Sequence, residues 1–156
     1  MSLFNLFKKK NDNSLALPVR FDYTYYAENI PPLVQTYKVF KDSFLARISE
    51  SFLNDKTAPK VTTDDLLEGI DYNYAWWVFN HCQHIIAARY SLLCSLENAK
   101  KAEVSYIDFK VFRPCPTCDK IPKNQKFKMT DNIPLYPCLD CKEENICIFA
   151  YDYRWD

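Results

Sequence analysis

Glycine is nearly missing from this chain: Gly69 is the single one in 156 residues. Phosphate-cradling loops, dinucleotide fingerprints and nucleophile elbows need glycine where the backbone turns with φ > 0 or approaches a ligand. No such cluster can be written here, which argues against most nucleotide-dependent enzyme classes. Long apolar runs are missing too, and no segment approaches the ~18 to 20 residues that span a bilayer. There is no excess charge of either sign, with Lys+Arg and Asp+Glu both at 20, so the whole chain offers no electrostatic case for nucleic acid. The opening "MSLFNLFKKK" lacks the basic-then-apolar order of a signal peptide. Its apolar patch before three lysines could touch an anionic membrane, but a frayed tail over residues 1–13 is the expectation, with a cytoplasmic location and no membrane partner.

What is abundant is aromatic and sulfur-bearing. Aromatics make up 16% of the chain and there are seven cysteines. Without an export signal, those cysteines point to reduced thiols and metal rather than to a disulfide framework.

Periodicity divides the chain. "PVRFDYTYY" alternates, with Val19, Phe21, Tyr23 and Tyr25 on one side, and predicts a short strand. Pro31 and Pro32 suit a helix start, and Leu33, Tyr37, Phe40, Phe44, Ile48 and Phe52 recur at three and four, predicting one long helix over 33–53. Thr62 and Asp65 form a capping-box pattern for a short helix that ends at Gly69. Residues 71–102 contain no proline or glycine and give the longest helix, with Trp76, Phe79, Cys82, Ile86, Leu93 and Leu96 as core. Alternation returns in "VSYIDFKVFR", with Ile107, Phe109 and Val111 on one face. Further short strands are expected at "KFKMT" and at "ICIFAYDYR", where Cys147, Phe149, Tyr151 and Tyr153 share a face.

The strongest motif is the pair "FRPCPTCDK" and "YPCLDCKE". Cys115 and Cys118 form one CxxC, Cys138 and Cys141 the other, with nineteen residues between. A two-residue gap in a tight turn aims both sulfurs at one point, and two such turns make the tetrahedral cage that zinc accepts. These residues resemble the zinc ribbon, a fold group whose cysteine knuckles sit between antiparallel strands, over about residues 106–156. Ribbon knuckles often carry glycine after the second cysteine, where this chain has Asp119 and Lys142. Asp tolerates left-handed φ, so the first knuckle is chemically reasonable and the second is less typical. Four thiolates close the metal's coordination, which implies one structural Zn2+ rather than a catalytic one. Iron is disfavoured, because the glycine N–H groups that tune rubredoxin-like sites are missing.

Two other features bear on function. His81 and His84, in "NHCQH", stand at i and i+3 beside Trp77, a spacing that can hold a metal or a general base, but no glutamate of the HExxH kind accompanies them. From Lys110 to Lys128 six bases face one acid, and from 129 to 156 two bases face six acids. The expectation is therefore an α+β protein: a tail over 1–13, a mainly helical domain over 14–105 with two long helices and a short strand, and an antiparallel four-cysteine zinc ribbon over 106–156. Its function is read as non-catalytic: an adaptor, inhibitor or immunity-type protein that meets a protein partner, with Trp77, Lys120, Lys123 and Lys126 as a possible contact surface. The alternatives are a nucleic-acid-binding ribbon and a hydrolase or nuclease using His81 and His84.

Overall fold

The computed structural model describes residues 22–111, 125–142 and 149–155. Helix α1 spans Tyr23–Gln35, capped by the Asp22 carboxylate, which accepts from the N–H groups of Thr24 and Tyr25 at 3.0 and 3.1 Å. This is where a strand was expected. Tyr26, Ala27, Ile30, Leu33 and Val34 are buried at helical spacing, and the alternating Tyr23 and Tyr25 flank that stripe. Val19 and Phe21, the other half of the alternation, lie outside the described residues.

Pro31 and Pro32 stand inside α1 rather than at a helix start. Pro31 cannot donate to the carbonyl of Ala27 four residues back. The hydroxyl of Ser49 supplies the missing donor at 2.8 Å, so the defect in one helix is filled by a side chain of the next.

The single helix expected over 33–53 is broken. Lys38 takes φ 53°, and Val39 and Phe40 run extended against Leu66 and Leu67, with Leu67 N–H donating to Val39 O at 3.0 Å. Helix α2 then spans Asp42–Glu50 and continues as a π-turn over Ser51–Asp55. The apolar spacing survives the break because Phe40, although extended, still stacks on Phe44 with ring centroids 4.5 Å apart. Thr62 and Asp65 do form a capping box, around a 3-10 turn at Thr63–Asp65, and Gly69 takes φ 76°. Asp65 is buried and also accepts from Arg47 at 2.7 Å, which ties this turn to α2.

Helix α3, Tyr72–Lys101, is the 30-residue spine. Asp71 caps its start and Lys100 and Lys101 sit in its last turn, each charge favourable at its end of the helix dipole. Phe79, Cys82, Ile86 and Leu96 are buried as expected and Leu93 is half-buried, whereas Trp76 is 53% exposed. Ala75 and Val78 beside it are fully buried, so Trp76 lies on the outward face of a turn whose other face is core, and an all-round apolar pattern there does not mean burial.

Three strands follow: β1 at Tyr106–Val111, β2 at Lys126–Lys128 and β3 at Phe149–Arg154, antiparallel in the order β2-β1-β3. Ile107 stands between Phe127 and Tyr153, and Phe109 opposite Tyr151. These residues form the inner face, against α3. On the same strands Lys110 pairs with Asp152 at 2.7 Å, Arg154 with Asp108 at 3.1 Å, and Lys126 lies 3.8 Å over the Tyr106 ring.

The architecture is thus α+β, with three helices and a small three-stranded antiparallel sheet. It is not two long helices with a short N-terminal strand followed by a four-cysteine zinc ribbon. Among the described residues no group of three or more His, Cys, Asp or Glu side chains could hold a metal ion. Of the four expected ligands, Cys115 and Cys118 lie outside the described residues. Residues 129–142, which carry the other two, run as an irregular connection against the helices, with Tyr136 and Cys141 in the same core as Phe44 and Phe79, instead of folding as a ribbon of their own. No helix among the described residues is long and apolar enough to cross a membrane.

Candidate functional site

The candidate site is the second CxxC turn and the helix side chains that hold it. The turn closes through the N–H of Cys141, which donates to the Cys138 carbonyl at 3.1 Å, so the two intervening residues, Leu139 and Asp140, project outward. Cys141 is buried, Cys138 half-buried and Leu139 exposed.

The approach to the turn has no regular hydrogen-bonded structure, and side chains of α3 satisfy its carbonyls instead. Arg89 donates through Nη1 to Leu135 O and to Pro137 O, both at 2.8 Å. Tyr136, between them, is fully buried and stacks on Phe109 at 4.5 Å. Tyr151 O–H donates to Pro134 O at 2.6 Å, so the sheet anchors the connection from its other side.

At Cys141 two donors meet one acceptor. The Tyr37 hydroxyl donates to Cys141 O at 3.1 Å, and His81 Nε2 lies 2.7 Å from the same oxygen. A carbonyl only accepts, so Nε2 carries the proton. His81 is buried and stacks on Trp77 at 4.8 Å with 13° between planes, and Tyr37 meets Trp77 edge-on. Burial, reinforced by the nearby thiols of Cys82 and Cys141, pushes the Tyr37 hydroxyl up to about 12, so it stays a donor at neutral pH. Burial likewise pushes the Cys82 thiol up to about 12, which keeps it protonated at neutral pH.

A groove of about 480 Å³ lies beside the turn, between Leu33, Thr36 and Tyr37 on one wall and Leu139 and Asp140 on the other. A second surface feature stands at the start of α3. Tyr72, Tyr74 and Trp76 are 40%, 47% and 53% exposed, and Tyr72 and Trp76 border a slot of about 390 Å³ with Pro59, Val61 and Phe79.

The residues expected to carry chemistry are therefore distributed as follows. Cys138 and Cys141 share one tight turn, while Cys115 and Cys118 lie outside the described residues, as do Cys147, Lys120 and Lys123. His81 is buried on the Cys141 carbonyl and His84 is exposed. Trp77 is half-buried beneath the outer aromatics and Lys126 sits over Tyr106. Sequence reasoning missed Arg89 and Tyr37. Arg89 carried a signal, a cation within "IIAARYSLL" with no acidic residue three or four positions away. Tyr37 carried none, since its spacing fits an ordinary core stripe. No family model matches the chain, and neither a curated protein nor a solved structure matches it.

Proposed function

We propose that this is a non-catalytic zinc-binding protein of the cytoplasm that acts through contact with a protein partner. The observation that carries the interaction reading is the exposure of Tyr72, Tyr74 and Trp76 within little more than one turn of α3. Aromatic side chains bring large contact area at small entropic cost and dominate interface energetics. Here the outer rings rest on a fixed base, because Tyr74 stacks on Trp77 and Trp77 on His81.

The metal reading places one structural Zn2+ on Cys115, Cys118, Cys138 and Cys141. Its support is the closed turn at Cys138 and Cys141, together with the pairing of Val111 and Phe149. That pair brings the chain leaving β1, four residues before Cys115, beside the chain entering β3, eight residues after Cys141. A reducing compartment fits the unbridged thiols of Cys82 and Cys94.

Nucleic-acid binding is the weaker reading because three of the four basic side chains described on the sheet, Lys110, Arg154 and Lys126, are engaged with Asp152, Asp108 and Tyr106, leaving Lys128 as the fourth. A hydrolase using both histidines is weaker still, since one is committed to a backbone carbonyl and the other points to solvent.

Elemental analysis of protein purified without added metal tests the reading. One zinc per chain is expected, lost in Cys115→Ser and Cys138→Ser and kept in Cys82→Ser and Cys94→Ser. Full zinc content in the first two variants would overturn the ligand assignment. For the partner, proximity crosslinking in the native cell should recover a protein with wild type that Trp76→Ala with Tyr72→Ala fails to recover.

A further inference from the structure

The slot at the start of α3 has two unlike walls. One is made by Tyr72 and Trp76, a helical turn apart, and the other by segment 58–61, which belongs to no helix or strand. The Tyr72 hydroxyl donates across to Val61 O at 3.3 Å, so the walls are tied together before anything enters. The backbone of the segment is only partly engaged. Arg47 Nη2 donates to Lys60 O at 3.1 Å and Tyr72 takes Val61 O, whereas the N–H groups of Lys60 and Val61 have no hydrogen-bond partner among the described residues. On the helix side, Asn80 donates Nδ2 to Trp76 O at 2.7 Å, and its side-chain oxygen accepts nothing among the described residues. Lys60 is exposed, its ammonium has no partner among the described residues, and none of the described residues that line the slot is acidic.

We propose that this slot takes an extended, acidic segment of the partner protein, whose backbone pairs along segment 58–61. The proposal rests on the reading of Tyr72 and Trp76 as an interaction surface, and it adds the conformation and charge of what meets them. Open N–H groups call for carbonyl oxygens. A helix has spent its own carbonyls everywhere but in its last turn, whereas an extended chain presents them along both edges. Alternate side chains of an extended chain stand ~6.6 Å apart, close to the ~6 Å that four helical residues put between Tyr72 and Trp76, so two apolar side chains can meet both rings. The Asn80 oxygen then accepts an N–H of the same segment. Lys60, with no counter-charge in the slot, selects a carboxylate over an ammonium.

The test is an NMR titration of the isotope-labelled full chain with pools of degenerate octapeptides capped at both ends. One pool carries two apolar residues at alternate positions followed by Asp, a second has Lys in place of Asp, and a third sets the same apolar residues in an alanine-rich helix. The Asp pool should move the amide protons of Lys60 and Val61 downfield together with the Trp76 indole N–H, and should bind about fivefold more tightly than the Lys pool. Lys60→Glu, made on an exposed side chain, should reverse that preference without lowering the unfolding midpoint. Equal binding of the Asp and Lys pools, preference for the helical pool, or no movement of the two amides would overturn the proposal. So would shifts that grow with protein concentration alone, which would put a second copy of the chain in the slot. If Lys60→Glu leaves the preference unchanged while Trp76→Ala abolishes binding, the chemistry of the segment is wrong and the surface stands. If Trp76→Ala binds every pool as wild type does, the surface reading itself has failed.

Discussion

The helical part of the molecule and the connection over residues 129–142 are held together by different means. α1, α2 and the first half of α3 bury a continuous apolar stripe, with Phe44, Ile48, Ile30 and Val78 fully enclosed. Within α1 Pro31 and Pro32 lack an N–H to donate, and the hydroxyl of Ser49 takes up the carbonyl freed by Pro31. The connection has few backbone partners of its own, and Arg89, His81, Tyr37 and Tyr151 satisfy its carbonyls. Irregular backbone can therefore be as fixed as a helix, provided that other elements supply the donors. The same polar side chains, met only in sequence, look like catalytic candidates.

Three substitutions bear on that contrast, in falling order of effect. Phe44→Ala attacks the helical part where it relies on volume. The ring stacks on Phe40, meets Phe79 edge-on and carries Arg47 over its face, so its loss should cost about 3–5 kcal/mol by denaturant unfolding. A value under about 1 kcal/mol would mean that the packing collapses around the gap and that the stripe is not the main source of stability.

Arg89→Met attacks the connection where it relies on borrowed donors. The replacement keeps much of the apolar stem and removes both bonds to Leu135 O and Pro137 O, so a cost of about 2–3 kcal/mol is expected. Amide exchange should speed up over residues 135–142 while the centre of α1 stays protected. Uniform loss of protection across both regions would erase the distinction between them.

Asp65 gives the smallest and most specific effect. Burial alone would raise its carboxyl, but the hydroxyl and N–H of Thr62 and the guanidinium of Arg47 outweigh that and leave it below its ordinary value. A depressed carboxylate contributes stability above its unfolded value, about 3.9, and loses it as pH falls through the folded value. Wild type should therefore lose stability more steeply than Asp65→Asn below about pH 4. At neutral pH the substitution should cost about 1 kcal/mol, because the Arg47 partner is half-exposed and the cap is one turn long. Parallel acid titrations of the two proteins would show that the Asp65 cluster is not linked to folding.

The legibility of this fold in its sequence followed the length of each pattern. α3 and the three strands could be read because period and composition agreed over whole elements, and the inner face of Ile107, Phe109 and Tyr151 was correctly taken from alternation. α1 was read as a strand because Tyr23 and Tyr25 mimic a period of two at the rim of a period of 3.6. The break at Lys38 left no mark, since no glycine or proline announces a left-handed lysine and the apolar spacing runs on through it. Trp76 was placed in the core because a segment apolar all round does not show which of its faces turns outward. At the candidate site the turn at Cys138 and Cys141 was legible from its spacing. The donors that fix it, His81 and Tyr37, stand 60 and 104 residues from Cys141, and no local pattern encodes such partners.

One property of α3 sets what the chain can tolerate. Its 30 residues cover about 45 Å at 1.5 Å each, and the same helix carries His81 toward the CxxC turn, Arg89 toward Leu135 and Pro137, and Ser95 toward Tyr153. These contacts fall within about a third of the helix circumference. A single residue inserted between His84 and Arg89 would turn everything beyond it by about 100° and advance it by about 1.5 Å. His81 would still meet Cys141, while Arg89, Leu92 and Leu96 would face away from the segments they now hold. The spine can accept many exchanges of one side chain for another, but its count of residues is fixed by the angle at which it must present them.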